Sequence, residues 1–225
     1  MREFDPSVLF GVIDLVGVVG NGLLGAAVAR QMKFDLVGFT VVALLSGLGG
    51  GMIRDVMLDA GPPVALTNPA YLSCAVSAAA IGYIIDLQGR WSRWTLALID
   101  VLAVGCWSAT GAGKALGVGL GAVPAVFLGV TTAVGGGALR DITVGRLPAI
   151  FLSGSPLYAV IAMAGAIEMV IFDQLGMPDA GMGLAIVTCV VLGLAARRLK
   201  WTLPRPLSMD VRSLRPPPLR RRPKD

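Results

Sequence analysis

Long apolar stretches, interrupted by short groups of charged residues, glycine and proline, run along most of the chain. The hydrocarbon core of a bilayer is about 30 Å thick, so a helix needs roughly 20 apolar residues to cross it. Seven stretches approach that length and predict transmembrane helices at about Val8–Ala29, Leu36–Ile53, Ala70–Ile85, Thr95–Gly113, Ala122–Leu139, Pro156–Phe172 and Gly181–Ala196. The fourth and fifth helices are separated only by glycines and a proline, because no residue between Lys114 and Arg140 is charged.

The composition agrees with an all-α membrane protein. Apolar residues make up 55% of the chain and charged residues 15%, whereas about a quarter of the residues of a soluble domain are charged. The mean hydropathy is +0.76. The chain also has 30 glycines, and glycine is common in transmembrane helices because it lets their backbones approach closely.

Charge in the connections predicts the orientation. One set of connections carries the positive residues Arg30, Lys33, Arg90, Arg93 and Arg146 and the basic C-terminal tail. The other set is nearly free of positive charge and contains Arg2, Asp59, Asp173 and Asp179. Positively charged connections stay in the cytoplasm, so we expect the N-terminus outside and the C-terminus in the cytoplasm.

The net charge of +5 belongs to the end of the chain, since ten of the 19 lysines and arginines lie from Arg197 onward. Residues 201–225 are rich in proline and arginine, a composition that cannot bury a core and predicts disorder. Such a tail binds anionic headgroups with about 1 kcal/mol per basic residue near the surface. Membrane lipids are therefore expected partners, and nucleic acid is not.

An internal repeat divides the chain. Ile13-Asp14 recurs as Ile99-Asp100, and Gly-Gly-Gly-x-x-Arg-Asp at residues 49–55 recurs at 135–141, both at an offset of 86 residues. Each copy contains three predicted helices, and an odd number inverts the second copy about an axis in the membrane plane. We therefore predict a short extracytoplasmic N-terminus at 1–7, inverted three-helix repeats at 8–92 and 93–178, a seventh helix at 179–200, and the tail.

The glycine runs have two interpretations. Three glycines in a helix cost roughly 1 kcal/mol each relative to alanine, and they can kink or unwind it and free carbonyl oxygens for an ion path. Alternatively, the small residues allow close helix packing. Hydroxyls near the runs can donate oxygen to an ion or bond their own helix. The candidate pathway residues are Gly49, Gly50, Gly51, Gly135, Gly136, Gly137, Ser46, Thr131, Thr132 and Lys114.

Charges inside the predicted helices need partners. Neighbours such as Arg54 and Asp55 point in different directions on a helix, so we expect pairs between elements instead, Asp14 with Arg54 and, by symmetry, Asp100 with Arg140. Such pairs can brace the helices or contact the permeant ion. The predicted charge network comprises Asp14, Arg54, Asp55, Asp100, Arg140 and Asp141.

Two charges have no equivalent in the other copy. Lys114 can extend to the membrane surface, or it can lie beside the pathway and act as a gate against cations. Glu168 is expected to face protein or water, because glutamate facing lipid is disfavoured.

Resident metal or cofactor chemistry is not indicated. The chain has no histidine, and Cys74, Cys106 and Cys189 are widely separated, which excludes a zinc site of the usual spacing. No catalytic residue is predicted. We expect no resident cofactor, and a bound lipid is compatible with the fold.

The doubled Gly-Gly-Gly-x-x-Arg-Asp motif among seven predicted helices resembles the trimeric intracellular cation (TRIC) channel family, specifically its prokaryotic branch. The resemblance covers about residues 8–199. It implies a homotrimer in which each protomer has its own pore for monovalent cations, chiefly potassium with sodium admitted. It also implies that the second and fifth helices are kinked at the glycines and line the pore. Lys114 matches the basic residue late in the fourth helix of bacterial members.

A secondary transporter of a small solute or ion is the alternative, because inverted repeats and broken helices are also typical of that class. A transporter needs convergent polar groups, and few exist here beyond the motif charges, which favours the channel. A non-conducting helical scaffold would explain the small residues but not the paired intramembrane charges.

Overall fold

In the computed structural model, the described residues are 6–86, 89–152 and 157–202. These residues form eight α-helices and one 3-10 turn, and no strand is present among them. The helices are α1 (Pro6–Gln31), α2 (Leu36–Leu58), α3 (Val64–Thr67), α4 (Pro69–Ile84), α5 (Arg90–Gly117), α6 (Ala122–Thr143), α7 (Tyr158–Gln174) and α8 (Pro178–Leu199), and the turn is Ala149–Phe151. Residues 1–5, Pro156 and most of the predicted tail, 203–225, lie outside the described residues.

Five of the described helices are long and apolar enough to cross a membrane, and the chain is an all-helical membrane protein. They are Gly11–Gln31, Leu36–Leu58, Trp94–Gly117, Ala122–Thr143 and Pro178–Leu199. The seven predicted stretches correspond to α1, α2 and α4–α8. α2 and α6 extend past the predicted ends, because their Arg-Asp motifs lie inside the helices.

Local sequence explains several helix ends. Asp35 precedes α2, and its carboxylate accepts a hydrogen bond from the Gly38 backbone N–H at 2.8 Å. Asn68 caps α4 in the same way, and Pro69 occupies the first helical position, where no N–H is required. At the other end of α4, the guanidinium of Arg30 donates to the carbonyls of Gly82, Tyr83 and Ile85 at 2.6–3.3 Å. This contact joins the C-terminal ends of α1 and α4.

Small side chains allow the helices to pack closely. α2 packs against α1, α4 and α6, and α5 packs against α1, α6, α7 and α8. Alanine fills many of these contacts, as at Ala43, Ala75, Ala78, Ala109 and Ala112, each no more than 1% exposed. Apolar side chains on the outer helix faces remain exposed, as expected for surfaces against lipid.

Candidate functional site

α2 and α6 cross at their glycine runs. A Cβ atom on Gly50 would overlap the carbonyl oxygen of Thr132, and one on Gly136 would overlap the carbonyl oxygen of Ser46. The helical hydrogen bonding continues through both runs. Of the two interpretations of the glycine runs, the middle glycines therefore support close packing, and neither helix is unwound there.

The third glycine of each run lies in a different environment from the middle one. The nearest atom to a Cβ on Gly51 would be Nη2 of Arg54, at 3.6 Å, and the corresponding atom for Gly137 is Nη2 of Arg140, at 3.8 Å. Gly51 lines a small cavity and Gly137 lines a large one. The middle glycines thus hold the helices together, while the third glycines border open space.

In each Arg-Asp motif the arginine forms an ion pair with the aspartate that follows it, which corrects the expectation that these neighbours do not pair. Arg54 Nε lies 2.8 Å from Asp55 Oδ1, and Arg140 Nε lies 2.9 Å from Asp141 Oδ1. The arginine side chain is long enough to fold back to the next residue. The other carboxylate oxygen of Asp55 accepts from the backbone N–H of Val64, at 2.9 Å.

The second motif makes the same backbone contact. Asp141 Oδ2 accepts from the Ala149 backbone N–H at 3.2 Å. Val64 begins α3 and Ala149 begins the 3-10 turn, and both follow a proline. Each aspartate therefore fixes a short helical segment beside the end of its own long helix.

Asp14 and Asp100 also have partners other than those predicted, and the expected pairs Asp14–Arg54 and Asp100–Arg140 are wrong. Asp14 accepts from the Tyr71 hydroxyl and, at 2.6 Å, from Trp107 Nε1. Asp100 accepts from the Tyr158 hydroxyl and from Arg197 Nη2, each at 2.6 Å. The arginines of the motifs are already engaged by their neighbouring aspartates.

The tyrosines were missed in the sequence, although a signal for them is present. Pro-x-Tyr occurs at Pro69–Tyr71 and again 87 residues later, where its tyrosine is Tyr158. Trp107 and Arg197 carry no such signal, because Asn21 stands at the repeat position of Trp107 and Arg197 lies in α8, outside both copies.

Lys114 and Glu168, the two charges without an equivalent in the other copy, lie in different surroundings. Lys114 Nζ is 3.6 Å from Asp55 Oδ1, and its side chain is 42% exposed, so it joins the first Arg-Asp motif. Glu168 is half-buried, and its Oε2 atom has no hydrogen-bond partner among the described residues.

The candidate hydroxyls also differ. Ser46 Oγ is buried without a partner within the described part of the chain. Thr132 Oγ1 bonds the Leu128 carbonyl of its own helix at 2.6 Å. Thr131 is half-buried.

Two cavities lie on either side of the glycine crossing. The large cavity has a volume of about 550 Å³, and its polar lining includes Asn21, Asp100, Arg140, Asp141, Tyr158 and Arg197. The small cavity has a volume of about 20 Å³, and its polar lining includes Asp14, Arg54, Asp55, Tyr71 and Trp107.

The two cavities, which differ in volume, also differ at one pair of repeat-related positions, Asn21 and Trp107. Trp107 lies 86 residues after Asn21 and lines the small cavity, where its indole Nε1 donates to Asp14. Asn21 is shorter, and its amide donates to the Gly17 carbonyl of its own helix at 3.3 Å. The two halves therefore present similar charged groups around very different open volumes.

Comparison with known families and sequences shows extensive similarity. The sequence model of the family described as "Glycine transporter" matches residues 11–86 and 97–174. A UPF0126 membrane protein of Deinococcus radiodurans is 34% identical over 155 residues, which cover 68% of this chain and 72% of that protein. The UPF0126 inner membrane protein YadS of Escherichia coli is 28% identical over 51% of this chain and 56% of that protein.

Solved structures share the fold. A chain from work on conductance through TRIC cation channels superposes with a TM-score of 0.82 and 28% identity, covering 89% of this chain and 98% of that one. The TRIC trimeric intracellular cation channel orthologue of Rhodobacter sphaeroides gives a TM-score of 0.78 and 28% identity, covering 86% of this chain and 99% of that one.

Proposed function

Because this chain belongs to the glycine transporter family and has the TRIC channel fold, we propose that it forms a cation channel. The observation that carries the proposal is the fold match, which extends over 98% of a TRIC cation-channel chain. The cavities that contain ionisable groups on both sides of the α2–α6 crossing give such a channel a polar route.

The proposal includes two inverted three-helix repeats, at residues 8–92 and 93–178, followed by a seventh long helix. Equivalent contacts recur in the two halves and support it. They are Arg54–Asp55 and Arg140–Asp141, Asp55–Val64 and Asp141–Ala149, and Asp14–Tyr71 and Asp100–Tyr158. Inverted repeats place ion sites at their interface, and here α2 packs against α6, and α1 against α5, between the halves.

The proposed pathway runs through each protomer, from one cavity to the other past the glycines of α2 and α6. Gly51 and Gly137 border the cavities and would line the route, while Gly50 and Gly136 hold the two helices at the constriction. Carboxylate oxygens on both sides favour cations, and potassium and sodium are the proposed permeant ions. Lys114, paired with Asp55, adds a positive charge at the narrow side and would oppose cation entry there.

The proposed assembly is a homotrimer in a bacterial plasma membrane. The Rhodobacter orthologue is described as trimeric, and the relatives of this chain are bacterial membrane proteins. The positive connections support a cytoplasmic C-terminus, which would put the large cavity on the cytoplasmic side, since Arg197 near the end of α8 lines it.

Current across a planar bilayer tests the proposal. Purified protein would be incorporated under a potassium chloride gradient, and discrete openings that reverse near the potassium potential are expected. Replacing potassium by sodium then gives their permeability ratio. Reversal near the chloride potential would contradict cation selectivity.

Glycine transport is the second candidate, and the inequality of the cavities favours it. A cavity of about 550 Å³ faces one of about 20 Å³, as in a transporter open to one side only. The large cavity also contains both carboxylates and guanidiniums, which can bind the two charges of a zwitterion. Saturable uptake of labelled glycine into liposomes, without discrete currents, would establish this function in place of the channel.

A further inference from the structure

Arg197, near the end of α8, reaches into the large cavity and binds two side chains there. Its Nη2 atom lies 2.6 Å from Asp100 Oδ2 and also donates to the Tyr158 hydroxyl. The Tyr158 hydroxyl donates in turn to the same Asp100 oxygen, at 2.6 Å. All three side chains line the cavity. A positively charged group therefore occupies a position bounded by a carboxylate and a phenol oxygen.

Among the described residues, no cation is bonded at the equivalent position in the other half. Asp14 accepts from two neutral donors, the Tyr71 hydroxyl and the Trp107 indole. Asn21, at the repeat position of Trp107, bonds the Gly17 carbonyl instead. In the described contacts, Asp100 therefore has one neutral donor, Tyr158, and its second donor is the cation Arg197 of α8, which lies outside the repeats.

Arg197 is held in a way that permits exchange. Its bonds to Asp100 and Tyr158 both come from Nη2, and its buried Nε has no partner among the described residues. The side chain is 28% exposed toward the cavity. The guanidinium therefore forms no bidentate pair with the carboxylate, the geometry that makes such pairs strong.

Charge balance shows what withdrawal of Arg197 would produce. The charged lining of the large cavity, within the described residues, consists of Asp100, Asp141, Arg140 and Arg197, which sum to zero. Without Arg197 the lining carries one net negative charge, while Asp141 stays paired with Arg140. Oxygen atoms of Asp100 and Tyr158 would then face the cavity, and hard cations prefer oxygen ligands.

We propose that Asp100 and Tyr158 form a monovalent-cation site that Arg197 occupies as a tethered cation, so that a permeant cation binds only when the end of α8 withdraws. The inference rests on the proposed cation conduction, because the site is placed on that route. Cation binding and cation flux are measured separately to distinguish the two.

Cation binding is measured by thermal unfolding of the full-length protein in equal concentrations of potassium chloride and N-methyl-D-glucamine chloride. Arg197→Gln empties the site, and potassium at ten times its dissociation constant should raise the Tm by about 3 °C relative to the bulky organic cation. Wild type should show no potassium-specific shift. Arg198→Gln is the matched control, because Arg198 lies over the Trp94 ring at 5.9 Å and does not line the cavity.

Cation flux is measured in planar bilayers. At about 0.05 M potassium chloride, Arg197→Gln should conduct on the order of threefold more current per channel than wild type, and the difference should vanish near 1 M through screening. Adding Asp100→Asn to Arg197→Gln restores a neutral lining and should abolish both effects. If Arg197→Gln does not fold, Arg197→Lys repeats the binding measurement, and a smaller potassium-specific rise in Tm is expected because its shorter side chain competes less well for both oxygens. The lining stays neutral in Arg197→Lys, so its current should match that of wild type.

The outcomes separate the two proposals. If wild type conducts cations but the Arg197 variants match Arg198→Gln in both measurements, the tethered-cation site is refuted and the channel remains. If no variant conducts but potassium stabilises Arg197→Gln specifically, the channel proposal fails and the cation site remains.

Discussion

Alanine substitution within the glycine runs should give opposite effects at adjacent positions. A methyl group at Gly50 would overlap the Thr132 carbonyl oxygen, which belongs to helix backbone and cannot rotate away. Overpacking costs about 1–3 kcal/mol, and a rigid neighbour places the cost near the upper value. The higher helix propensity of alanine offsets about 1 kcal/mol. We therefore expect Gly50→Ala to destabilise the protein by about 2 kcal/mol.

Gly51→Ala is the matched control in the same turn of α2. The nearest atom to its methyl group would be the end of the flexible Arg54 side chain, at 3.6 Å. The propensity gain of about 1 kcal/mol is then not opposed. For a chain of this length, about 1 kcal/mol corresponds to about 2–4 °C in Tm. Gly50→Ala should lower the Tm by about 4–8 °C, while Gly51→Ala should raise it by about 2–4 °C.

Thermal unfolding of the two variants in one detergent, followed by circular dichroism, measures the difference. Gly136→Ala and Gly137→Ala repeat the comparison in α6, where the corresponding neighbours are the Ser46 carbonyl and the Arg140 side chain. Equal Tm values for Gly50→Ala and Gly51→Ala would refute the assignment of close packing to the middle glycine. A lower Tm for Gly51→Ala, with Gly50→Ala unchanged, would assign the close packing to Gly51 instead of Gly50.

Three further substitutions test the polar contacts by the same unfolding measurement. Asp55→Asn should lower stability by about 3 kcal/mol, because the buried Arg54 guanidinium loses its charged partner. Tyr71→Phe should lower stability by about 1 kcal/mol, because the half-buried Asp14 carboxylate loses a hydrogen-bond donor. Arg30→Gln should cost about 1–2 kcal/mol, because the carbonyls at the end of α4 lose a charged donor.

Each of these substitutions has a control or an outcome that contradicts it. Asp59→Asn is the control for Asp55→Asn, since Asp59 is exposed at the end of α2, and similar losses for both would exclude a specific role for the buried pair. Tyr83→Phe is the control for Tyr71→Phe, since Tyr83 is exposed. An Arg30→Gln variant as stable as wild type would show that water replaces the guanidinium at those carbonyls.

Hydrophobic spacing alone predicted the membrane class and the helices α1, α2 and α4–α8, within a few residues at most ends. Bilayer thickness sets the length of each apolar stretch, and that property is local in the sequence. The predicted ends of α2 and α6 were too early, since residues up to Leu58 and Thr143 continue the helices. A hydropathy profile ends a predicted helix at its first charged residues. Here the arginine and aspartate of each motif pair with each other inside the protein, so the helix continues past them.

The repeat and the motif residues were also readable from the sequence, whereas their partners were not. Two copies of Gly-Gly-Gly-x-x-Arg-Asp marked the helices that cross and the charges beside them. The pairing of Asp14 with Trp107, and of Asp100 with Arg197, depends on how each helix is rotated and how far it is shifted along its neighbour. A hydrophobic pattern fixes neither quantity when every helix is apolar around most of its surface.

The sequence by itself thus determined which segments enter the membrane and which polar residues they carry, because burial in lipid depends on composition over about 20 residues. Only the tertiary structure decided the partners of Asp14 and Asp100, since hydrogen bonds act over about 3 Å between groups far apart in the chain. It also decided the size of each cavity, where the bulky Trp107 lines the small one and the shorter Asn21 lines the large one. That difference follows from the packing of side chains across helices, which no single segment encodes.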